Sequence, residues 1–173
     1  MNNIFIIESK QLSSLSLVTA QKEDIENLRI WKNKNREFFF YKNIITKEAQ
    51  KIWFKEYLNR PDDYMFIVKV DGTSVGCMGF RLLQNKTLDI YNVILGDKSY
   101  EKKGYMSIAL KTMCNYAFDT YKLPVTVKVL KENPAVKWYQ KKGFIIKQTF
   151  EDYFLMEIES KHFKSFDFLI KGV

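Results

Sequence analysis

A basic, glycine-bearing loop between a predicted strand and a predicted helix is the segment of this chain best suited to binding an anion. The apolar run 88–95 predicts a strand, and the periodic segment after Gly104 predicts a helix that ends near Tyr121. Backbone N–H groups at a helix N-terminus lack intrahelical partners, and the helix dipole there favours negative charge. We therefore predict a phosphate-binding loop. Its N–H groups would come from Lys102, Lys103, Gly104, Tyr105 and Met106.

A second segment with functional potential begins about thirty residues later and predicts a strand followed by a short helix. Asn133 is a favourable N-cap and Pro134 a favourable first helical residue. Gly143 would end the helix as a left-handed cap, just before the next apolar run.

Together, the two segments resemble the GNAT superfamily of acyl-CoA N-acyltransferases. The family's second motif reads Asn-…-Ala-x-x-x-Tyr-x-x-x-Gly-Phe. Its conserved spacing is matched here by Ala135, Tyr139, Gly143 and Phe144. The family's loop pattern is Gln/Arg-x-x-Gly-x-Gly/Ala, and this chain departs from it at Glu101, Lys102 and Met106. The resemblance is specific from about residue 62 to residue 150.

The resemblance implies direct transfer of an acetyl group from acetyl-CoA, the co-substrate, to a primary amine. Tyr139 would donate a proton to the departing thiolate, although its helical spacing also suits a core residue. The backbone of Val93, Ile94 and Leu95 would pair with the pantetheine amides as an added strand does. Asn133 would either contact CoA or serve only as the helix N-cap.

A group that accepts the proton of the amine is less clearly marked. Strand alternation puts Asp89 and Tyr91 on one face and Asn92 on the other, and any of them could hold a relaying water. Asp89, the only carboxylate in this strand, is the predicted base, unless the amine loses its proton directly to bulk water. The single histidine, His162, lies in a tail that the pattern does not assign, which argues against a Ser-His-Asp mechanism.

The acceptor site is predicted around the first helix and the aromatic run 38–41. The motif Arg-x-Trp-x-Asn at residues 29–33 looks like that of the family's ribosomal-protein and amino-sugar branches, in which the first two helices wall the acceptor site. The aromatic run could form a platform for a sugar or a nucleobase, or could fill the core. The predicted substrate-binding residues are Arg29, Trp31, Phe39, Tyr41 and Tyr91.

These features lead to one preferred function and two alternatives. We expect an N-acetyltransferase whose acceptor is a small-molecule amine, by preference a nucleotide-linked amino sugar used in surface glycan synthesis. The alternative within this class is acetylation of protein N-termini, as in the ribosomal-protein branch. The alternative from another class is an inactive module that binds CoA or another ligand on the same fold.

Composition limits the remaining classes. The chain has 173 residues, enough for one domain spanning 1–173, and 28 basic against 20 acidic residues give a net charge of +8. This excess suits an anionic ligand, whereas lysines spread along the chain do not suggest a nucleic-acid-binding arm. No run is long enough for a membrane span, no signal peptide is apparent, and Cys77 and Cys114 are expected to be buried and reduced. We therefore expect a cytoplasmic monomer or homodimer without a metal.

The elements that must position these residues predict an α+β fold with a mixed sheet, in the order β-α-α-β-β-β-α-β-α-β-β that the resemblance also implies. Asp71-Gly72 predicts a hairpin turn, and Thr46 predicts the cap of the second helix. That helix should bury Ala49, Ile52, Trp53 and Tyr57. The predicted ranges are strands 15–19, 64–70, 74–83, 88–95, 125–130, 144–150 and 154–158, and helices 23–34, 46–57, 105–121 and 133–142.

Overall fold

The computed structural model describes residues 4–162 and 167–172, which form one nine-stranded sheet with helices on both faces. The sheet order is β7-β8-β6-β5-β4-β3-β2-β1-β9. The strands are β1 (Phe5–Ser9), β2 (Leu15–Thr19), β3 (Asp63–Val70), β4 (Thr73–Leu82), β5 (Leu88–Leu95), β6 (Val125–Leu130), β7 (Phe144–Thr149), β8 (Tyr153–Ile158) and β9 (Phe168–Gly172). The helices are α1 (Ile25–Lys34), α2 (Lys47–Tyr57), α3 (Tyr105–Tyr121) and α4 (Ala135–Lys141).

Two hydrophobic clusters, one on each face of the sheet, hold the layers together. The larger cluster contains the buried side of α3, with Ala109, Met113 and Ala117, and packs against β1, β2 and the central strands. The smaller cluster joins α1 and α2 to the opposite face through Leu28, Trp31, Phe54 and Tyr57. None of the helices in the described part of the chain is long and apolar enough to cross a membrane.

Most predicted elements are found within one or two residues of their predicted bounds. The Asp71-Gly72 turn has positive φ at both residues (48° and 79°), as a tight hairpin requires. Thr46 caps α2 by accepting a hydrogen bond from the Ala49 amide at 3.1 Å. Both cysteines are buried and free.

Four expectations about the elements were wrong. Strand β1 was missed because its unbroken apolar run hides the alternation that buries Phe5 and Ile7, and β9, which pairs with β1, lies in the unassigned tail. Helix α1 begins two residues late because Lys22–Asp24 form a 3-10 turn.

The other two wrong expectations concern the buried face of α2 and the first residue of α4. Of the four residues predicted to be buried in α2, Tyr57 is buried and Trp53 is half-buried against the smaller cluster, whereas Ala49 and Ile52 are exposed. The buried stripe is Gln50, Phe54 and Tyr57. Residues 50, 54 and 57 follow the same helical spacing as the predicted set, so only packing against the sheet distinguishes the two faces. Helix α4 begins at Ala135, one residue after Pro134.

Strands β5 and β6 separate partway along their length, and this separation creates the space for a site. They are the one parallel pair among the described strands, and they pair only where Leu88, Asp89 and Ile90 face residues 125–127. Beyond that point β5 bulges against β4, and Asn92 takes a positive φ of 49°. A bulge bends its strand, and asparagine tolerates this conformation better than most residues do.

Candidate active site

The opening between β5 and β6 is part of a cavity of about 1050 Å³. Its walls come from both strands, from α1 and α2, from the start of α4, and from residues 38–41. The predicted site residues that line it are Asp89, Tyr91, Val93, Ile94, Leu95, Asn133, Tyr139, Phe39 and Tyr41. These predicted residues come from three separate segments of the sequence, 39–41, 89–95 and 133–139, and meet at one place.

Tyr139 reaches this cavity from α4 although its ring is only 5% exposed. The ring packs edge-on against Trp138 and Phe144, which fix its position. No hydrogen bond to its hydroxyl is found within residues 4–162 and 167–172. Burial raises the pKa of this hydroxyl, and the charges of Cys114 and Asp89 raise it further. The group therefore stays protonated at neutral pH and has a proton to donate.

The predicted phosphate-binding loop lies at the N-terminus of α3, beside the cavity. Gly104 occupies the N-cap position with φ of 81°, and Lys102 also has a positive φ, 61°. The first amides to donate in α3 are those of Ser107 and Ile108, both to the Gly104 carbonyl. Among the described residues, the five amides from Lys102 to Met106 therefore have no backbone acceptor and can bind an anion.

The departures from the loop motif do not close this loop. The Met106 sulfur points towards β4, where a Cβ placed on Gly76 would lie 3.2 Å from it. The side chain thus packs inward, beside the larger hydrophobic cluster, and leaves the amides of the loop open. Glu101 is exposed and lines the edge of the cavity.

The edge of β5 that faces the opening has unused backbone groups. Ile94 and Leu95 pair with β4 on one side, and Val93 lies in the bulge, but beyond Ile90 no strand in the described part of the chain pairs with β5 on the other side. Such an edge can accept an extended ligand as an added strand. Asn133 faces the same opening, and its Oδ1 accepts from the Ala135 amide at 2.8 Å, so it does cap the start of α4.

Asp89 is engaged in an ion pair. Arg81 donates to its Oδ2 from Nε at 3.1 Å and from Nη2 at 2.9 Å, where β5 is still paired with β6. Burial raises the pKa of Asp89, and the charge and hydrogen bonds of Arg81 oppose that rise. Its role as a base remains a prediction, and the geometry gives it a second role as the anchor of Arg81.

Tyr91 also has a fixed partner. Its hydroxyl donates to the Asp63 carboxylate in a very short hydrogen bond, and Arg60 lies 3.6 Å from the other Asp63 oxygen. Burial, followed by the negative charge of Asp63, raises the pKa of Tyr91 well above its ordinary value. Tyr91 thus presents a neutral aromatic ring to the cavity.

Two predicted substrate residues lie away from the cavity. Trp31 is 7% exposed and packs on Gly96, where an added Cβ would fall 2.1 Å from its ring. Arg29 binds Glu26 at 2.7 Å and donates to the Ile45 carbonyl at 3.3 Å. Since neither lines the cavity, we assign Trp31 to the core and Arg29 to holding the loop before α2.

The aromatic run instead covers the opening. The ring of Phe39 lies against Lys32 of α1. Phe40 packs edge-on against Tyr153 of β8, with ring centroids 5.3 Å apart. The Asn133 side-chain amide donates to the Phe38 carbonyl at 3.2 Å. Tyr41 lines the cavity and is 56% exposed, so its ring is accessible to a ligand.

Lys32 and Asn92 are site residues that the sequence reasoning did not identify as a pair. Nζ of Lys32 donates to Oδ1 of Asn92 at 2.5 Å and lies 3.1 Å from the centroid of the Phe39 ring. Alternation placed Asn92 on the opposite face, but the bulge turns it towards α1. An asparagine inside an apolar strand was the available signal, because asparagine is depleted in strands.

The arrangement combines an anion-binding loop, an open strand edge and a protonated tyrosine around one cavity. A family model described as an acetyltransferase (GNAT) domain matches residues 14–145, which is most of the chain. No curated protein sequence matches significantly.

Solved structures share the fold at low sequence identity. A nucleotide-linked sugar GNAT, FdhC in its apo form, superimposes with a TM-score of 0.75 at 16% identity, covering 90% of each chain. The N-acetyltransferase PseH of Campylobacter jejuni gives 0.65 at 20% identity, covering 85% of this chain and 99% of that one. Spermidine N-acetyltransferase of Vibrio cholerae, in complex with CoA and spermine, gives 0.72 at 19%, covering 87% and 98%.

Proposed function

This chain belongs to the GNAT acetyltransferase family, and from that premise we propose that it acetylates the amine of a nucleotide-linked amino sugar. It is an N-acetyltransferase that uses acetyl-CoA, the donor of its family. The proposal concerns the acceptor, and the charge of the cavity is the observation that carries it. Use of the product in surface glycan synthesis stays a prediction.

The cavity wall is more basic than acidic. Its basic residues are Lys32, Arg60, Arg81, Lys98 and Lys128, and its acidic residues are Asp89 and Glu101. Arg81 pairs with Asp89, and Arg60 pairs with Glu56 and Asp63. Lys98 and Lys128, together with the Lys32 amine, therefore have no acidic partner among the described residues, and Glu101 is the remaining carboxylate of the wall. A wall of this kind attracts a diphosphate, and the exposed rings of Tyr41 and Phe40 can stack on a base or a sugar.

The same wall argues against two other acceptors. A polyamine carries several positive charges and would need several unpaired carboxylates, whereas the carboxylates that line this cavity among the described residues are Glu101 and Asp89, and Asp89 is paired with Arg81. A protein N-terminus needs an open groove, but the contacts of residues 38–40 with Asn133 and Tyr153 bridge the opening. The structural neighbour FdhC is a nucleotide-linked sugar GNAT, which supports the same choice.

In this proposal each group of the site has a defined task. The amides of residues 102–106 would hold the pyrophosphate of acetyl-CoA, and the open edge of Val93–Leu95 would pair with its pantetheine arm. Acetyl-CoA supplies an activated acetyl group as a thioester. Tyr139 would give its hydroxyl proton to the leaving sulfur, and the acceptor amine would approach from the basic, aromatic side.

A matched panel of acceptors tests this choice. We would compare a nucleoside-diphosphate amino sugar, the same amino sugar without its nucleotide, spermidine and a basic N-terminal peptide by the release of free CoA. The expected result is a kcat/KM at least 10²-fold higher for the nucleotide-linked sugar than for the free sugar. Preference for spermidine or for the peptide would refute the proposal.

A further inference from the structure

We propose that the amino group of Lys32 is the general base that removes the proton from the acceptor ammonium group. The inference rests on the proposed function only in that some amine must be acetylated in this cavity. It assigns a catalytic task to a residue that occupies only a variable position of the Arg-x-Trp-x-Asn motif.

The placement of Lys32 suits this task. It projects from α1 into the cavity wall, where the face of Phe39 lies 3.1 Å from Nζ. Its one hydrogen bond to a described side chain goes to the neutral amide oxygen of Asn92. No carboxylate within the described residues forms an ion pair with it.

The neighbouring elements leave Lys32 without a charged partner. Strand β4 presents the thiol of Cys77, and β5 presents Tyr91, whose hydroxyl is bonded to Asp63. Helix α2 presents Gln50 and Trp53. Burial raises the pKa of the Cys77 thiol to about 12, so this group is neutral at physiological pH.

The remaining charged groups of the wall lie on other elements. They are Arg60, Arg81, Asp89, Lys98, Glu101 and Lys128, and the hydroxyls of Tyr41, Tyr139 and Tyr153 complete the titratable set. Of the ionisable groups, Cys77 is the one that affects the pKa of Lys32, and it does so only where its thiol ionises, far above neutral pH.

Desolvation therefore controls the protonation of Lys32. Burial lowers the pKa of its ammonium group to about 7, and the weak opposing effect of Cys77 does not restore it. The ring of Phe39 and the oxygen of Asn92 favour the protonated form, which stabilises the product of proton transfer. A base with a pKa near the working pH combines an available lone pair with sufficient basicity.

The proton balance of the reaction is complete with this assignment. Lys32 takes one proton from the acceptor ammonium group, and the resulting amine forms a C–N bond to the acetyl carbon. The C–S bond breaks, and Tyr139 gives its hydroxyl proton to the sulfur. The nitrogen, now bonded to the acetyl carbon, loses its second proton to the Tyr139 oxygen, which restores the hydroxyl. Lys32 then releases its proton to water through the open side of the cavity.

The bulge at Asn92 positions the side-chain amide that holds the Lys32 amine. In a regular strand Asn92 would face the opposite layer, and only its positive φ of 49° brings Oδ1 to Lys32. Exchange of this neutral amide for a carboxylate would favour the ammonium form, because an opposite charge at hydrogen-bond distance raises the pKa of a cation by about 1–3.

Four variants and a direct titration test the proposal. Lys32→Met removes the base but keeps an unbranched apolar side chain, and Lys32→Arg keeps the positive charge but cannot release its proton. Asn92→Asp tests the positioning. Lys34→Met is the matched control, since Lys34 lies on the same helix, is exposed and does not line the cavity. Circular dichroism and thermal unfolding establish that each variant folds.

The activity arm uses whichever amine the wild type acetylates best. We expect kcat of the wild type to rise with pH to a plateau, with a midpoint near the pKa of about 7. Lys32→Met and Lys32→Arg should both lower the plateau by about 10²-fold or more and remove this inflection. Asn92→Asp should move the inflection to higher pH, and Lys34→Met should match the wild type. Full activity of Lys32→Arg would overturn the proposal and make Lys32 a cation that holds an anionic acceptor.

A second arm needs no acceptor and separates this inference from the acceptor assignment. Competitive labelling of the wild-type protein with acetic anhydride, read by mass spectrometry, measures the protonation midpoint of the Lys32 amine directly. A midpoint near 7 supports the proposal even if the acceptor panel fails. A midpoint near 10, the ordinary value for lysine, refutes it whatever the panel shows.

Discussion

Tyr139 combines features that a buried structural tyrosine does not need. Its ring is fixed by Trp138 and Phe144, yet the residue lines the cavity and its hydroxyl has no hydrogen-bond partner among the described residues. A buried hydroxyl usually finds a partner. The unused hydrogen-bonding capacity and the raised pKa both fit a group that donates its proton only when a ligand is bound.

Tyr139→Phe should therefore lower kcat strongly. We expect a loss of about 10²–10⁴-fold, the usual contribution of a positioned acid, with an unchanged dissociation constant for acetyl-CoA. Steady-state kinetics and calorimetry measure the two quantities. Tyr116→Phe is the control, since that tyrosine is buried in the larger hydrophobic cluster and does not line the cavity. An unchanged rate for Tyr139→Phe would remove the acid role and leave a core residue.

Among the elements, β5 and the loop after it carry most of the site. Cys77 pairs with Ile94 and Gly79 pairs with Tyr91, so the bulge interrupts a ladder that is otherwise regular. The bulge bends β5 away from β6 and exposes its edge, and the chain then turns through a loop with two positive φ angles into α3. One strand thus supplies the opening, and its connection supplies the anion-binding amides.

Two glycines with nearly the same conformation isolate the effect of this loop. Gly104 and Gly72 have φ of 81° and 79°, and an added Cβ at either meets nothing within 4 Å. Alanine at each should cost about 1–2 kcal/mol, the strain of a left-handed residue, measured by denaturant unfolding. Only Gly104→Ala should also weaken acetyl-CoA binding, because Gly72 lies in the β3–β4 hairpin. Equal acetyl-CoA affinities in the two variants would show that the loop geometry does not bind the cofactor.

The whole molecule couples this cofactor site to stability. The cavity joins elements from both faces of the sheet, so a ligand there links α1, α4 and the two diverging strands. Ligands that bind only the folded state stabilise it by mass action. The stability of the fold should therefore report cofactor binding.

Acetyl-CoA at about 100 times its dissociation constant should stabilise the fold by about 2.7 kcal/mol. For a chain of this size that corresponds to a rise in Tm of roughly 5–10 °C, measured by scanning calorimetry. Gly72→Ala should show the same rise as the wild type, whereas Gly104→Ala should show a smaller one. If neither acetyl-CoA nor CoA raises the Tm of the wild type, the predicted cofactor site is wrong.

The sequence alone was sufficient for the parts of the protein that depend on local chemistry. Gly143 was predicted from the left-handed conformation that glycine adopts without strain, and its φ is positive. The ranges of β2, β5, β6 and α3 followed from side-chain periodicity and match the structure. The family, the cofactor and the position of Tyr139 followed from a motif whose residues lie close together in the chain.

Tertiary structure decided whatever depends on neighbours distant in sequence. Trp31 and Lys32 are consecutive in one helix, but packing against Gly96 buries the first, while the second enters the cavity and reaches Asn92, 60 residues away. Helical periodicity cannot predict which of two adjacent side chains will face a gap between diverging strands. The gap itself arises from a bulge, and the low pKa of Lys32 arises from the burial that follows. Desolvation is a property of the assembled fold, so no pattern in the sequence could reveal it.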